Sequence, residues 1–566
     1  MSKLHDLRSA QDLSDVADLL GFQARAVAFL LYKKPTINKY VSFDLAKRSG
    51  GTRTISAPSA DLKLLQSRLA TLLLDCIDEI NKATGRKRNL SHGFERKRSI
   101  MSNGARHRNR RYVLNIDLAD FFGTINFGRV RGFFVKDKHF AMSALAATVV
   151  AQIACHNNSL PQGSPCSPVI SNLVATILDL RLVALASKHS CRYSRYADDI
   201  TFSTNKAIFP TQLAGDLGIG QWSVGDDLSS TIVRAGFTVN ATKTRMQLKR
   251  SRQVVTGLVV NSLVSVPKES RKNVRAMAHH LFTKGTFYVP ASGILSSPAK
   301  GKKAVAGTLP MLHGGLGFIG AVESFTRTLH AKAGQPKLPG VGVDLLYRRF
   351  LVFTEFYSTE RPVLLCEGKT DNVYIRLAIR QLAQAFPTLI DPATLKLRLS
   401  FFRYERTNTA SRLGLKGGSG NLSTFIGQYA GEIKNFCNVS NKPVIIIVDD
   451  DDGGKPVLKV ARQASGNSNL TLQSNPCHVV ANLYLIGVPC PPGQQSAVIE
   501  DMFDPQVKAT VLNGKTFNAG KDFDSTVNYG KHVFADKVIT PNSNHVDFAG
   551  FGPLLDRIAA VIASHP

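Results

Sequence analysis

Several features that define other protein classes are scarce or absent in this chain of 566 residues. Its eight cysteines are scattered and include no Cys-x-x-Cys pair, which argues against a structural zinc site or a disulfide framework and fits a reducing cytosol. No run reaches the roughly 18 apolar residues that a membrane-spanning helix needs. Acidic residues close to the N-terminus are wrong for a secretory signal. We therefore expect a cytoplasmic protein with no membrane partner.

Acidic residues are also scarce, and their distribution is uneven. The chain has 71 Lys and Arg against 41 Asp and Glu, a formal net charge of +30. Residues 1–330 carry 46 basic and 21 acidic residues, whereas 331–566 carry 25 and 20. A basic face is the expected footprint of phosphate binding, although charge alone also allows ribosome or membrane-surface binding. The excess predicts a nucleic-acid partner for the N-terminal part.

Carboxylates recur at two places in that basic part. The apolar stretch Tyr112–Ile116 ends in Asp117, and Arg195–Phe202 contains the neighbouring pair Asp198 and Asp199 between β-prone residues. The second stretch predicts a β-hairpin with the acidic pair at its tip. Like charges so close together are unfavourable unless a cation lies between them. A lone Asp-Asp pair would be better explained as an exposed acidic turn, but Asp117 is costly to bury without a partner.

The order of these motifs carries a family resemblance. The strand ending in Asp117, the loop Pro161-Gln162-Gly163 and the Tyr-x-Asp-Asp hairpin resemble the palm of reverse transcriptases. The resemblance implies a right-hand fold of fingers, palm and thumb, with dNTPs as substrates. It also implies that Asp117, Asp198 and Asp199 are catalytic and hold two Mg²⁺ ions.

Four further positions resemble the nucleotide-binding residues of that family. Arg53, with Lys47 as second choice, lies in a basic hairpin where the family grips the triphosphate, although a solvated turn would also explain it. Phe122 resembles the aromatic gate against a ribose 2′-OH, and Gln162 resembles the residue that contacts the incoming sugar. Lys243 resembles a lysine that protonates the pyrophosphate. Core packing for Phe122 and a surface position for Lys243 are the alternatives.

Two short motifs narrow the resemblance to retron reverse transcriptases. Asn103-Gly104-Ala105-Arg106-His107 resembles their Asn-Ala-x-x-His signature, with Gly in place of the usual Ala. Val255-Thr256-Gly257 matches a motif in the region that helps these enzymes recognise structured RNA. The resemblance implies RNA-binding roles for Asn103, His107, Val255, Thr256 and Gly257. Its partners would be a structured noncoding RNA and the DNA copied from it.

The C-terminal half begins a separate pattern. Val363–Cys366 is an apolar strand followed by Glu367 and a helical stretch that contains Asp371, and Val444–Val448 is a second apolar strand followed by four Asp residues. Strand, helix and strand with acids at the strand ends predict a parallel α/β sheet with a site at its carboxyl edge.

These acids resemble a TOPRIM domain of the type found in overcoming-lysogenization-defect nucleases. The resemblance implies that Glu367, Asp449 and Asp451 are catalytic, and that these three with Asp371 bind one or two Mg²⁺ ions. Glu500 resembles a later acidic motif of the group and is a weaker metal candidate. An acidic surface loop is the alternative for residues 449–452, and the same alternative applies to Glu500.

Taken together, the motifs predict a multidomain protein of mixed α/β and α+β class. We expect a reverse transcriptase at 1–331, with fingers and palm to about 262 and a thumb at about 263–331. A linker at 332–343 and a TOPRIM nuclease-like domain at 344–566 would follow. The oligomeric state is open, and a homo-oligomer is compatible with the sequence.

The family resemblance implies a specific reaction. The enzyme would copy part of its RNA from a 2′-OH primer and keep the branched RNA–DNA hybrid, called msDNA. The TOPRIM half would be a nuclease effector in antiphage defence, restrained by that hybrid and acting on a nucleic-acid target when released. Two alternatives remain: a group II intron-type reverse transcriptase, or a reverse transcriptase whose C-terminal half is only a binding or oligomerisation module.

Overall fold

The computed structural model describes the chain except residues 1, 47–50, 86–89, 219, 292, 296–303, 337–341, 405–406, 438–441, 475–476, 492, 521 and 566. The chain forms two compact units. Unit 1 comprises Met1–Lys268 and Ala321–Leu338, and unit 2 comprises Glu269–Gly320 and Pro339–Pro566. Residues 269–320, which the sequence assigns to a thumb, thus fall within unit 2. The domain boundaries drawn from the sequence stay predictions.

The strands described in unit 1 are β1 Tyr40–Ala46, β2 Thr52–Pro58, β3 Tyr112–Ala119, β4 Arg192–Tyr196, β5 Asp199–Thr204, β6 Ala214–Gly218, β7 Gln221–Val224, β8 Thr238–Leu248, β9 Val254–Val255 and β10 Leu258–Val259. Four of them form an antiparallel sheet in the order β4-β5-β3-β8. The pairs β1 with β2, β6 with β7 and β9 with β10 form separate two-stranded ribbons. The central strand β3 is mostly buried, as its apolar sequence predicts.

The helices of unit 1 are α1 Lys3–Ser9, α2 Leu13–Leu19, α3 Ala24–Ala28, α4 Ala60–Thr84, α5 Ile100–Arg106, α6 Phe127–Lys136, α7 Ala144–Ala154, α8 Ser167–Val174, α9 Thr176–Lys188 and α10 Asp226–Arg234. A π-turn at Phe29–Lys33 and a 3-10 turn at Thr36–Asn38 follow α3. Leu114, Ile116, Ile200 and Phe202 of the sheet belong to one apolar core with side chains of α4, α7 and α8. This packing fixes the position of the strands that carry the acids.

Among the described residues, no single helix is both long enough and apolar enough to cross a membrane. Only the bent pair α8 and α9, which meet at 49°, reaches the required length and apolarity when taken together.

The strands described in unit 2 are β11 Tyr288–Val289, β12 Val305–Ala306, β13 Val363–Cys366, β14 Ser400–Phe401, β15 Val444–Val448, β16 Cys477–Val480, β17 Leu483–Gly487, β18 Thr516–Phe517 and β19 Asn528–Tyr529. The helices are α11 Lys268–Lys284, α12 Leu309–Lys332, α13 Gly342–Val352, α14 Lys369–Gln381, α15 Thr407–Leu413, α16 Ser419–Ile433, α17 Gly454–Ser465, α18 Pro505–Lys508, α19 Lys531–Val533 and α20 Gly552–Ser564. Of these, α12 belongs to unit 2 as far as Gly320 and to unit 1 from Ala321 onward. Shorter turns lie at Phe353–Tyr357, Ile499–Met502, Phe534–Ile539 and Ala549–Phe551.

Five strands of unit 2 form one sheet in the order β14-β13-β15-β17-β16. All neighbours in it are parallel except β16 and β17. Every residue of β13, β15 and β17 is buried, as expected for strands covered on both faces. The parallel sheet predicted from the apolar strands is confirmed, and it brings the ends of β13 and β15 to one edge.

Candidate active sites

The first acidic site lies at a tight hairpin in unit 1. Strands β4 and β5 pair from Tyr196 opposite Asp199, so Ala197 and Asp198 form a two-residue turn. Ala197 has a φ of +56°, which suits such turns. Asp199 lies directly opposite Asp117 on β3, and the backbone N–H of Leu118 donates to the carbonyl of Asp198 at 3.0 Å. The register therefore brings the three predicted carboxylates together.

Electrostatics at this site favour a positive charge. Burial, followed by the charges of Asp198 and Asp117, raises the pKa of Asp199 to about 6. Burial and Asp117 also raise the pKa of Asp198. Lys243 Nζ lies 2.8 Å from Asp117 Oδ2, and this hydrogen bond raises the pKa of the lysine. An ammonium group thus already compensates one of the clustered acids.

The donor set fits Mg²⁺, which prefers carboxylate oxygens. Across the described ranges, no three His, Cys, Asp or Glu side chains stand close enough to form a ready-made metal site. The lysine at Asp117 marks instead where a cation is electrostatically favourable. Asp117, Asp198 and Asp199 are the residues that would hold the ion.

One cavity of about 860 Å³ adjoins these carboxylates. Its lining includes side chains from the β1–β2 hairpin, from the segment after β3, from the Pro-Gln-Gly loop and from β8. The predicted residues among them are Arg53, Phe122, Gln162, Lys243, Asp117 and Asp198. Residues separated by up to 190 positions in the sequence therefore line one cavity. Lys47, the second choice for binding the triphosphate, lies outside the described residues.

The Pro-Gln-Gly loop is held against β2. The backbone N–H of Ser56 donates to the carbonyl of Gln162 at 2.8 Å. A Cβ at Gly163 would lie 2.6 Å from the carbonyl oxygen of Ser56, and its φ is +130°. Both the space and the backbone conformation therefore require glycine here. The contact fixes Gln162 beside the hairpin that carries Arg53.

A buried ion pair that the sequence did not reveal lies behind the acidic turn. Arg195 is 0% exposed and donates to both carboxylate oxygens of Asp179, at 2.7 and 2.8 Å. Its third nitrogen donates to the carbonyl of Ala197 at 2.9 Å. Tyr193 Oη donates to Asp179 at 2.6 Å. The pair thus fixes the turn that presents Asp198, although burial works against the charge of Arg195.

Two residues predicted to bind RNA lie inside unit 1. Asn103 and His107 are both 0% exposed. His107 forms hydrogen bonds of 2.7 Å with Ser203 and Ser194, and Ser194 donates to Asn103 at 2.6 Å. Burial lowers the pKa of His107 well below 6.5. The expectation that these side chains touch RNA is therefore corrected: they link α5 to β4 and β5.

The Val-Thr-Gly motif forms the turn between β9 and β10. Thr256 and Gly257 have φ values of +46° and +81°, the pattern of a type I′ hairpin turn. Val255 is 0% exposed and packs with Val113 and Val260. The prediction that this side chain contacts RNA is therefore corrected as well. Gly257 is exposed and Thr256 is half-buried. Contact of these two residues with RNA stays a prediction.

The second acidic site lies at the carboxyl edge of the parallel sheet in unit 2. Glu367 and Asp449 directly follow the adjacent strands β13 and β15. Ile499 N–H donates to Asp449 at 2.9 Å, which brings Glu500 to the same edge. Asp371 accepts from Gly368 N–H at 2.7 Å at the start of α14.

Asp451 has a visible structural role. Its carboxylate accepts from the backbone N–H groups of Gly453 and Gly454, at 2.8 and 3.0 Å, where α17 begins. Carboxylates at a helix N-terminus are stabilised by the unpaired N–H groups. Asp451 also helps to raise the pKa of Glu367, after burial as the main cause. The structure therefore places all five predicted acids around one sheet edge.

Charge compensation at this edge comes from Lys531, which the sequence did not reveal. Its Nζ lies 2.9 Å from Glu500 and 3.7 Å from Asp449. Burial raises the pKa of Asp449 to about 7, although Lys531 acts in the opposite direction. Glu367 Oε2 and Glu500 Oε1 are buried without a hydrogen-bond partner in the part of the chain that is described, whereas Glu500 Oε2 faces Lys531 Nζ. Unpartnered carboxylate oxygens fit a site for Mg²⁺.

Comparisons with known families identify the N-terminal part. The sequence model of the reverse transcriptase (RNA-dependent DNA polymerase) family matches residues 45–275. The chain is 34% identical over 282 residues to the Retron Mx65 reverse transcriptase of Myxococcus xanthus, covering 47% of this chain and 62% of that protein. It is 31% identical over 285 residues to the Retron Ec86 reverse transcriptase of Escherichia coli, covering 50% and 79%.

A third relative and two solved structures complete these findings. The Retron Mx162 reverse transcriptase of Myxococcus xanthus is 33% identical over 49% of this chain and 59% of its own length. The chain thus spans less than two thirds of the Mx65 and Mx162 proteins. Telomerase structures from Candida tropicalis and Candida albicans match at 13% and 10% identity, covering 41% and 57% of this chain and 56% and 64% of theirs. TM-scores of 0.27 and 0.31 do not by themselves establish a shared fold.

Proposed function

Because this chain belongs to the family of retron reverse transcriptases, we propose that it is an RNA-directed DNA polymerase that makes msDNA. It would copy part of a structured noncoding RNA from a 2′-OH primer and retain the branched RNA–DNA hybrid. The single observation that carries this proposal is the cavity in unit 1. Two of the three predicted catalytic acids, Asp117 and Asp198, line it together with all four predicted nucleotide-binding residues.

The residues that line this cavity would have different chemical roles. Arg53, from the β1–β2 hairpin, would bind the triphosphate, and Phe122 would exclude a ribose 2′-OH by its bulk. Lys243, whose pKa is raised beside Asp117, stays protonated and can give a proton to the leaving pyrophosphate. Mg²⁺ held by Asp117, Asp198 and Asp199 would supply the charge stabilisation of phosphoryl transfer.

The test replaces one carboxylate while keeping its shape. Asp198→Asn should lower DNA synthesis on the copurified RNA by at least about 100-fold, since a metal-binding charge is lost. Asp226→Asn, an exposed change in α10 of the same unit, is the matched control and should leave synthesis unchanged. Near-normal synthesis by Asp198→Asn would contradict the proposed function.

For the C-terminal half, we propose a TOPRIM-like nuclease effector in antiphage defence. The support is the set of five acids at the carboxyl edge of a parallel sheet, with one unpartnered buried oxygen on each of Glu367 and Glu500. Glu367, Asp449 and Asp451 would be catalytic, together with one or two Mg²⁺ ions. The retained hybrid would restrain cleavage of a nucleic-acid target, and its loss during infection would release it.

The experiment for this half uses the full chain loaded with its product in cells. Degrading the DNA part should stop growth in the wild type and in the exposed control variant Asp536→Ala. Growth should continue in Glu367→Ala and Asp449→Ala. Arrest in both of these variants would favour a C-terminal binding or oligomerisation module over a nuclease. If growth of the wild type does not stop, the retained hybrid is not what restrains the nuclease.

A further inference from the structure

A cavity lined by basic side chains lies in unit 2, along α14 and the edge strand β14. Its volume is about 630 Å³. Five cationic residues line it: Arg361, Arg376, Arg380, Lys396 and Arg403. A second cavity of about 270 Å³ shares Arg376 and Arg403 with the first and adds Lys369 and Asn372. We call this continuous surface, defined by these six cationic residues, the basic groove.

The positive charge of the basic groove is not neutralised by any of the residues that the structure describes. Among the described residues that line the two cavities, none is Asp or Glu. None of the six cations makes an ion pair in the described ranges. Burial, followed by the charges of Arg380 and Arg403, lowers the pKa of Arg376. Arg376 Nε is buried without a hydrogen-bond partner, and the guanidinium lies 4.9 Å from the ring centre of Phe401. Repelling cations collected on one surface indicate an anionic ligand.

The shape of the groove indicates an extended ligand. Lys369, Asn372, Arg376 and Arg380 are spaced by three, four and four residues, so they lie along one face of α14. Eleven residues of helix span about 16 Å at 1.5 Å per residue. A nucleic-acid strand advances about 3.4 Å per phosphate along its axis, so the stripe matches about five nucleotides. A single phosphate or nucleotide would leave most of these cations unused.

The groove also begins beside the second acidic site. Lys369 and Asp371 lie in the first turn of α14, which directly follows Glu367. A nucleic-acid strand lying along the cations would therefore reach the carboxyl edge of the sheet at the end of the groove near Lys369.

From these observations we infer that the basic groove binds the phosphate backbone of a nucleic-acid strand and directs it to the acids at the sheet edge. The inference concerns binding alone and holds whether or not the acidic site cleaves. It is separate from the proposed RNA template site, because every residue of the groove belongs to unit 2.

The experiment measures binding of a fluorescent 20-nucleotide single strand to the full chain already saturated with its copurified nucleic acid. EDTA is present, so cleavage does not enter the result and a failure of the nuclease proposal is read separately. The groove variant combines Arg380→Gln, Lys396→Gln and Arg403→Gln, all exposed positions. The control combines Lys434→Gln, Lys442→Gln and Lys459→Gln, exposed positions in unit 2 with the same change in charge.

The groove variant should bind about 10- to 100-fold more weakly at 0.1 M salt, and its salt slope should fall by about 2, at roughly 0.7 per lost phosphate contact. The control should stay within twofold of the wild type. Equal losses in both variants, or no binding by the wild type, would overturn the inference. Competition by pyrophosphate at equal phosphate concentration would also overturn it, since a small-anion site would then explain the groove. A matched duplex in a parallel titration separates single-strand from duplex preference, and binding of either form through the groove supports the inference.

Discussion

The ion pair between Arg195 and Asp179 allows a stability prediction with a defined magnitude. The side chains of the two residues are 0% and 1% exposed, and two charge-assisted hydrogen bonds join them. Asp179→Asn keeps the size of the side chain but leaves the guanidinium of Arg195 buried without its counter-charge. Breaking a buried pair in this way costs about 3 to 5 kcal/mol. The loss should appear in unit 1, where both residues lie.

The chain offers a reporter for that unit alone. Trp222 is the only tryptophan of the sequence, and it lies in β7 of unit 1. Urea unfolding followed by tryptophan fluorescence therefore measures unit 1 within the full chain. With a slope of about 3 kcal/mol per molar urea, the variant should unfold at a midpoint about 1 to 1.7 M lower.

The control is an ion pair on the surface of the same unit. Asp227 lies 3.7 Å from Lys188, with side chains 43% and 69% exposed. Asp227→Asn should cost no more than about 1 kcal/mol, because water screens exposed pairs. If Asp179→Asn shifts the midpoint as little as Asp227→Asn does, the buried pair does not stabilise the turn as argued.

Three further predictions concern the sites. Phe122→Ala should admit rNTPs with little loss of stability, because Phe122 lines the cavity and is only half-buried; a purified variant that still rejects rNTPs would assign Phe122 to packing. As pH falls below 6.5, wild-type unit 1 should lose up to about 1.4 kcal/mol per pH unit, since the unfolded state binds a proton that buried His107 excludes. His107→Gln should flatten this slope in the same fluorescence assay, and an unchanged slope would contradict the reasoning. In EDTA, Lys531→Met should lower the free energy of unfolding of unit 2 by about 1 to 3 kcal/mol, a range that allows for the partial exposure of the lysine. Added Mg²⁺ should restore the lost stability. A calorimetric scan in which Mg²⁺ has no effect on the variant would refute a metal site there.

The sequence was most informative where function requires a local pattern. The hairpin around Asp198 and Asp199 has alternating β-prone residues, and its tight turn follows from short-range rules. The apolar strands that end at Glu367 and Asp449 likewise predicted a parallel sheet with acids at one edge. In each case the spacing of neighbouring residues specifies both the element and the place of its acids.

Partners that come from distant segments could not be predicted in the same way. Asp179 lies in the first turn of α9, where nothing in its neighbourhood indicates a partner 16 positions later in a strand. Lys531 follows Asp449 by 82 positions, in a segment of short turns without periodicity. For Asn103 and His107, the resemblance of their motif to a family signature predicts RNA contact, whereas both side chains are buried. A signature of this kind does not distinguish a binding surface from a buried network that supports it.

Lys243 and Lys531 each place a positive charge beside a cluster of acids, one in each unit. Each site gathers carboxylates, and burial, followed by their mutual repulsion, raises the pKa values of Asp199 and Asp449. Each also receives one lysine from a later segment, at 2.8 Å from Asp117 and at 2.9 Å from Glu500. Without such a counter-charge, buried acids would favour protonation or local unfolding, so the lysines allow both acid clusters to persist in the folded chain. A metal ion at either site would therefore have to bind more favourably than the ammonium group that is already present.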